Sequence, residues 1–271
     1  MAAANKTVQV FKTVRELQMW RAGLVNATNS VAKDVVVKDV SVGFVPTMGA
    51  LHLGHETLLR RAKSENDIVI LSIYVNPTQF NDKKDFEKYP VTWEQDLAVA
   101  QRSGVDAIFF PEYTEMYPDQ YKYKITENDF SRQLCGAHRP GHFDGVLSVV
   151  MKLFQIVNPY RAYFGEKDYQ QLRLIQGMVQ AFFLPIQIIP VETVREADGL
   201  AMSSRNTRLT TEQRKLAPKI YQVIKNVKDI AEAKSELEKS GFKVDYLEDH
   251  GDRRFVAAFL GEVRLIDNVK I

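Results

Sequence analysis

One cysteine, Cys135, stands in 271 residues. It can form neither an internal disulfide nor a cysteine-based zinc site, so the core alone must hold the fold, as in a reducing compartment, with the cytoplasm as default. Long apolar runs are missing as well. The most hydrophobic stretch, Ile68 to Val75, is far shorter than the roughly 20 residues of a membrane span, and Lys6, Lys12, Arg15 and Arg21 interrupt the first thirty residues. Neither a signal peptide nor an anchor is expected. Nor does one charge dominate: 36 Lys and Arg face 34 Asp and Glu, a net +2 without long blocks of one sign. That balance argues against a dedicated nucleic-acid or polybasic membrane binder. The phosphate fingerprints G-x-x-x-x-G-K-[ST] and G-x-G-x-x-G are absent, so a nucleotide would have to be held by another motif.

What remains is ordinary globular composition, 45% hydrophobic and 26% charged, enough for one or two domains. Up to about residue 191, short apolar runs alternate with amphipathic helical patterns, which reads as βαβ units around a parallel sheet. The strand candidates are Val42–Val45, Ile68–Val75, Ala107–Phe110, Arg161–Phe164 and Ile186–Val191. Between them, Thr92 and Gln95 suggest a capping box for a helix that Gly104 stops. Val146, Val149, Val150, Leu153, Phe154 and Val157 share one face of a second helix, which Asn158-Pro159 ends. Asp168 with Gln171 suggests the cap of a third. Residues 194–271 read as a small α+β domain: one helix striped by Leu216, Ile220, Val223, Val227 and Ile230, then strand-like runs near 242–247, 254–260 and 262–269. Pro218 inside the stripe marks a kink or a later start.

Three polar constellations stand out, two of them where a strand gives way to a helix and the third in a polar loop. In Pro46-Thr47-Met48-Gly49-Ala50-Leu51-His52-Leu53-Gly54-His55, a two-glycine loop opens a helix, so free backbone N–H groups and the positive end of a helix dipole meet at one spot. Such a spot favours an anion, and two imidazoles three residues apart can both face a phosphate. A metal site is the weaker alternative, because the zinc-protease pattern needs His-Glu-x-x-His and Glu56 here follows the second histidine. The second constellation is Phe164 to Gln171, where Lys167 suits a phosphate and Asp168 reads equally as a helix cap or a ligand contact. The third, Arg195 to Asn206, offers Ser203, Ser204 and Arg205; alone it would pass for a surface loop.

Together with Asn76-Pro77-Thr78-Gln79-Phe80, Arg139-Pro140-Gly141-His142-Phe143 and Arg264-Leu265-Ile266-Asp267-Asn268, these motifs resemble the pantothenate synthetases (pantoate–β-alanine ligases) over nearly the whole chain. The His-x-Gly-His element alone is shared with other nucleotidylyltransferases. The resemblance implies an α/β chain with a Rossmann-like parallel-sheet domain (1–193) for nucleotide and pantoate and a smaller C-terminal α+β domain (194–271). It implies an AMP-forming ligase in which ATP and pantoate give pantoyl adenylate and pyrophosphate, and the amine of β-alanine then displaces AMP. Catalytic groups by resemblance are His52, His55, Lys167, Ser203, Ser204 and Arg205. ATP contacts fall on Met48, Gly49, Ala50, Leu51, His52, Leu53, Gly54, His55, Gly165, Glu166, Lys167, Asp168, Val194, Met202, Ser203, Ser204 and Arg205, with Gln79 and Gln171 for pantoate or β-alanine. Magnesium accompanies ATP with its ligands unassigned, Asp96 included. A homodimer is expected, with no nucleic-acid or membrane partner. Attack of a carboxylate on the α-phosphate builds negative charge, so positioning and charge stabilisation should carry the rate.

The chain departs from the family pattern at Val91, usually arginine, at Asn81, usually glycine, and in a C-terminal region shorter than is typical. A different adenylyltransferase would share His52 and His55 without needing Gln79 and Gln171. A non-catalytic nucleotide sensor would tend to lack one of the phosphate-handling groups, all of which are present.

Overall fold

The computed structural model describes residues 7–29 and 40–271; Lys6 lies outside them. Short β-branched and aromatic runs form the strands β1 (Gln9–Phe11), β2 (Val42–Thr47), β3 (Ile68–Ile73), β4 (Ala107–Phe109), β5 (Arg161–Gly165) and β6 (Gln187–Val191). They pair in parallel in the order β1-β4-β3-β2-β5-β6. The central strands read as nearly continuous apolar runs because both faces of a parallel sheet are covered. Phe44, Val45, Ile70, Leu71, Ile108 and Phe109 are fully buried.

The covering helices are α1 (Val14–Asn29), α2 (Leu53–Glu65), α3 (Lys83–Glu87), α4 (Trp93–Arg102), the single turns α5 (Tyr113–Met116) and α6 (Cys135–His138), α7 (His142–Val157) and α8 (Tyr169–Ala181). Leu17, Leu153, Phe154, Ile175 and Met178 of α1, α7 and α8 fill one face of the sheet, while Leu58, Leu59, Ala62, Val99 and Ala100 of α2 and α4 fill the other. From β2 the chain steps through β3 to β4 on one side, then returns to β2's other side with β5. This reversal opens a crevice at the carboxyl ends of β2 and β5, the usual ligand position in open α/β sheets.

A second sheet of β7 (Lys243–His250), β8 (Arg253–Leu260) and β9 (Val263–Lys270) is antiparallel, in that order. The fold is thus a Rossmann-like parallel sheet joined to a small α+β unit. Tyr246 and Phe255 of the second sheet enter the core under α7 and α8. Arg253 reaches the Glu166 carboxylate at 2.9 Å, and Asn268 Nδ2 donates to the carbonyls of Glu166 (2.9 Å) and Lys167 (3.0 Å).

Several local expectations change. The single C-terminal helix is three: α9 (Thr211–Leu216), α10 (Lys219–Asn226) and α11 (Ile230–Lys239). Pro218, which has no N–H to donate, opens α10 as its N-cap residue, and Val227 leaves the helical region at φ −91°, ψ 116°. Leu216 is 43% exposed, off the stripe that Ile220, Val223 and Ile224 bury. Thr92 precedes α4 but makes no cap bond; its hydroxyl donates to Asp96 Oδ1 at 3.1 Å. Asp168 likewise makes no cap bond, its carboxylate lying 3.7 Å from Lys167 Nζ. Gly104 (φ +75°) and Asn158 (φ +46°) do end their helices in the left-handed region.

Candidate active site

The loop after β2 is held open by a carboxylate. Asp96 on α4 is 2% exposed, and its two oxygens accept from Ala50 N (3.0 Å) and Leu51 N (2.7 Å). The turn needs positive φ at Gly49 (+80°) and Ala50 (+51°). A Cβ on Gly49 would come within 2.9 Å of Asp96 Oδ2 and 3.1 Å of Ile73 Cγ2. The Asp96 carboxylate is therefore engaged by the loop and by Thr92.

The two histidines cap α2 reciprocally. His52 Nδ1 accepts from Gly54 N at 3.1 Å, and His55 Nδ1 accepts from His52 N at 3.3 Å, so two of the helix's orphan donors are satisfied by rings whose centroids are 4.1 Å apart. With both Nδ1 atoms accepting, each neutral ring carries its proton on Nε2. Burial, followed by the positive charge of Lys167, pushes His52 down to about 4. Burial, then His52 and Lys167, pushes His55 to about 3. Near neutral pH the pair presents uncharged Nε2–H donors. Glu56 turns away to Arg60 (2.7 Å) and Arg102 (2.8 Å), which leaves nothing of the zinc-protease arrangement. Among the described residues no three His, Cys, Asp or Glu side chains gather as a metal site.

The second arm follows β5. Gly165 leads into a single 3₁₀ turn, Glu166–Asp168, and the Lys167 side chain is only 21% exposed. The third arm follows β6: Met202 N donates to Val194 O (3.0 Å) and Arg195 bridges to Ala201, folding the segment back on itself. Arg195 itself points to Asp267, at 2.6 and 2.9 Å. Ser203 Oγ accepts from Arg205 N at 3.2 Å. Arg205 and Arg208 grip Asp85 of α3 at 3.0 and 2.8 Å, tying that helix to the third arm.

The three arms enclose a cavity of about 250 Å³. His52, Gly54, His55, Gly165, Lys167, Asp168, Val194, Met202, Ser203, Ser204 and Arg205 line it with Met48, Gln79 and Gln171. Ala50, Leu51, Leu53 and Glu166 do not: the first two hold the loop through Asp96, Leu53 is 53% exposed, and Glu166 bonds Arg253. Gly49 lines a neighbouring, mostly apolar cleft of about 660 Å³ that shares Met48 and Tyr74 with the site but neither histidine nor Lys167. A third cavity, about 580 Å³, continues from the site past Lys167, Asp168 and Gln171 toward the small sheet. Val146, Val149, Val150 and Leu153 also line the site; their helical spacing marks a core face, and nothing in the sequence separates core from pocket wall. Arg139 and His142 order the Gln79 segment: His142 Nδ1 (2.7 Å) and Arg139 Nη2 (3.2 Å) both meet the Gln79 carbonyl oxygen.

The family model for pantoate-beta-alanine ligase matches residues 9–270. The chain belongs to the pantoate-beta-alanine ligase family. It is 62% identical over 263 residues to the pantothenate synthetase of Bdellovibrio bacteriovorus, covering 97% of this chain and 99% of that protein. The Coxiella burnetii pantothenate synthetase is 52% identical over 233 residues, 86% of this chain and 90% of its own length. The Francisella tularensis pantoate-beta-alanine ligase, solved with beta-gamma ATP and beta-alanine, superimposes with a TM-score of 0.86 at 39% identity, with 97% of each chain covered. That of Thermus thermophilus gives 0.82 at 39%, covering 97% of this chain and 99% of its own. This member of the ligase family is thus an enzyme, and the two single-residue departures from the family pattern, Asn81 and Val91, line the cavities beside the site. Asn81 keeps a negative φ and donates to Pro140 O at 2.6 Å, so the backbone there does not need glycine. Val91 is 77% exposed on the apolar cleft.

Proposed function

We propose that the three-armed cleft activates pantoate with ATP and delivers the pantoyl adenylate to β-alanine, giving pantothenate, AMP and pyrophosphate. The observation that carries this reading is the meeting of neutral His52 and His55 donors, Lys167 and the Ser203–Arg205 turn beside a glutamine pair and a valine-lined wall. Triphosphate lies along the α2 N-terminus and Lys167, with adenine and ribose near Gly165 and Val194. Pantoate places its gem-dimethyl group against Val146, Val149 and Val150 and its polar groups at Gln79 and Gln171. One carboxylate oxygen attacks the α-phosphorus as the bond to the bridging oxygen breaks. The imidazole N–H groups and Lys167 meet the charge that grows there and on the departing pyrophosphate. The amine then attacks the acyl carbon and AMP leaves.

Magnesium fits this cleft as a companion of ATP, since it needs only one or two carboxylates beside phosphates and water. Asp168 and Glu192 line the cavity and would serve it, and the bound ion would neutralise phosphate charge. A division of the chain near residue 193, a homodimer and a cytoplasmic location are part of the same proposal.

Gln79→Leu tests the pantoate subsite. A polar site left unpaired rejects its ligand strongly, so the KM for pantoate should rise at least about tenfold with the KM for ATP little changed. Equal loss of both would assign Gln79 to the fold or the nucleotide.

A further inference from the structure

We infer that Arg139 binds the carboxylate of β-alanine at the neck between the site and the third cavity, and so selects an acceptor amine that carries an acid group. The inference rests on the reading of the cleft as a site for pantoate and ATP and adds the place of the second substrate. The charged residues that line both cavities are Arg139, Lys167, Asp168 and Arg205. Lys167 lies 3.7 Å from Asp168, and Arg205 is 3.0 Å from Asp85. Elsewhere on the wall of the third cavity Arg208 holds Asp85 (2.8 Å), Arg264 holds Asp245 (2.7 Å) and Lys88 faces Glu262 (3.8 Å). Among the described residues, Arg139 is therefore the one lysine or arginine lining that cavity without a carboxylate partner.

The surroundings of Arg139 fix its guanidinium without neutralising it. Nη1 meets His142 Nε2 at 3.2 Å, and Nη2 donates to the Gln79 carbonyl oxygen at 3.2 Å. His142 Nδ1 lies 2.7 Å from that same oxygen, so Nδ1 carries the ring proton and Nε2 accepts from Arg139. Burial, then the Arg139 charge, pushes His142 to about 3, so both acceptors are uncharged. The Cys135 sulfur adds only a weak acceptor. A guanidinium stays protonated, and burying it unpaired is costly until an anion joins it. Of the three substrates, ATP has Lys167, Arg205 and the α2 N-terminus. The carboxylate of pantoate becomes an uncharged acyl group on adenylation, so an arginine reserved for it would lose its partner midway. That of β-alanine takes no part in bond making and keeps its charge into the product, which suits a permanent cation. The bond to the Gln79 carbonyl sets this cation beside the pantoate contact, and the third cavity supplies about 580 Å³ of room.

The test is Arg139→Gln, with AMP formation measured at saturating ATP and pantoate for two acceptors: β-alanine, and 3-amino-1-propanol, which presents the same amine with a hydroxyl in place of the carboxylate. The parent should favour β-alanine in kcat/KM. Loss of a charged hydrogen bond predicts that this preference falls about ten- to a hundredfold in the variant. A merely structural arginine would slow both amines by one factor and leave the preference unchanged; that result, or a parent without any preference, overturns the inference. Pyrophosphate exchange in the absence of amine reads the other carboxylate. A rise in the pantoate KM there, with the amine preference intact, gives the anion to pantoate and overturns the inference too. A parent without pantoate-dependent exchange removes the reading of the cleft and the inference with it. Should Arg139→Gln fail to fold, Arg139→Lys keeps the charge but not the planar fork and must still lower the preference at least about threefold; an unchanged preference there overturns the inference.

Discussion

Replacing His55 with alanine separates two jobs that one imidazole performs. The ring's Nδ1 accepts the His52 N–H at 3.3 Å, half of the reciprocal cap on α2. Loss of a cap contact costs about 1 kcal/mol, which lowers the melting temperature by about 2–4 °C in a chain of this size. Its Nε2–H is left as a donor at the cavity that it lines and, in the proposed function, meets phosphate; loss of one preorganised donor typically removes about 10²–10³ in turnover, or about 2.7–4 kcal/mol of transition-state stabilisation. The effect on rate should therefore far exceed the effect on stability. Pyrophosphate release at saturating ATP and pantoate measures the first, and thermal unfolding the second. The parent's pH profile completes the test. Since burial pushes His55 to about 3 and His52 to about 4, kcat/KM should show no limb near pH 6.5 from either ring. The neutral-donor account fails if such a limb exists and disappears in His52→Ala or His55→Ala, because the working form would then be the imidazolium.

Two further outcomes follow from buried groups. Asp96→Ala leaves Ala50 N and Leu51 N without their acceptor and should cost about 2–4 kcal/mol and most of the activity. Denaturant unfolding and turnover check both, and an active variant of parental stability would mean that the loop holds itself. His52, His55 and His142 are all held below the ordinary histidine value, burial being the largest cause each time. The unfolded chain then binds more protons than the fold below pH 6.5, so stability should be full above that value and decline as pH falls toward 4. Glu56, held at about 2 by hydrogen bonds from Arg102 and Arg60, adds to the decline only below its unfolded value of 4.5. Unfolding free energies at pH 7, 6 and 5 therefore isolate the histidines, and a flat series would contradict their neutral burial.

Much of this architecture was legible because burial on both faces forces β-branched and aromatic runs into β2 to β6, and because Gly104 and Asn158 mark two helix ends where the chain turns left-handed. β1 escaped notice, since three residues at a sheet edge make no run. The C-terminal stripe misled because helical spacing continues through Pro218 and Val227 while the backbone does not. At the site, the three motifs lie on the loops that enclose one cavity, yet local signals misread the polar residues whose partners lie elsewhere. Thr92 and Asp168 look like helix caps and instead face Asp96 and Lys167. Histidine is not a usual cap residue, so nothing in the sequence announced the His52–His55 cap. Glu166 sits inside the second polar motif, but its carboxylate is claimed by Arg253, 87 residues away.

The order of the two chemical steps is the centre of the account, and one isotope measurement addresses it. With magnesium, ATP and pantoate but no β-alanine, the enzyme should move labelled pyrophosphate into ATP, because an acyl adenylate formed before the amine arrives can be reversed by pyrophosphate. Exchange should require pantoate, collapse in a His55→Ala, Lys167→Ala double variant, and give way to net AMP and pantothenate when β-alanine is added. Folded enzyme that shows no pantoate-dependent exchange, or that yields ADP and phosphate in place of AMP and pyrophosphate, would contradict the adenylate route through this cleft.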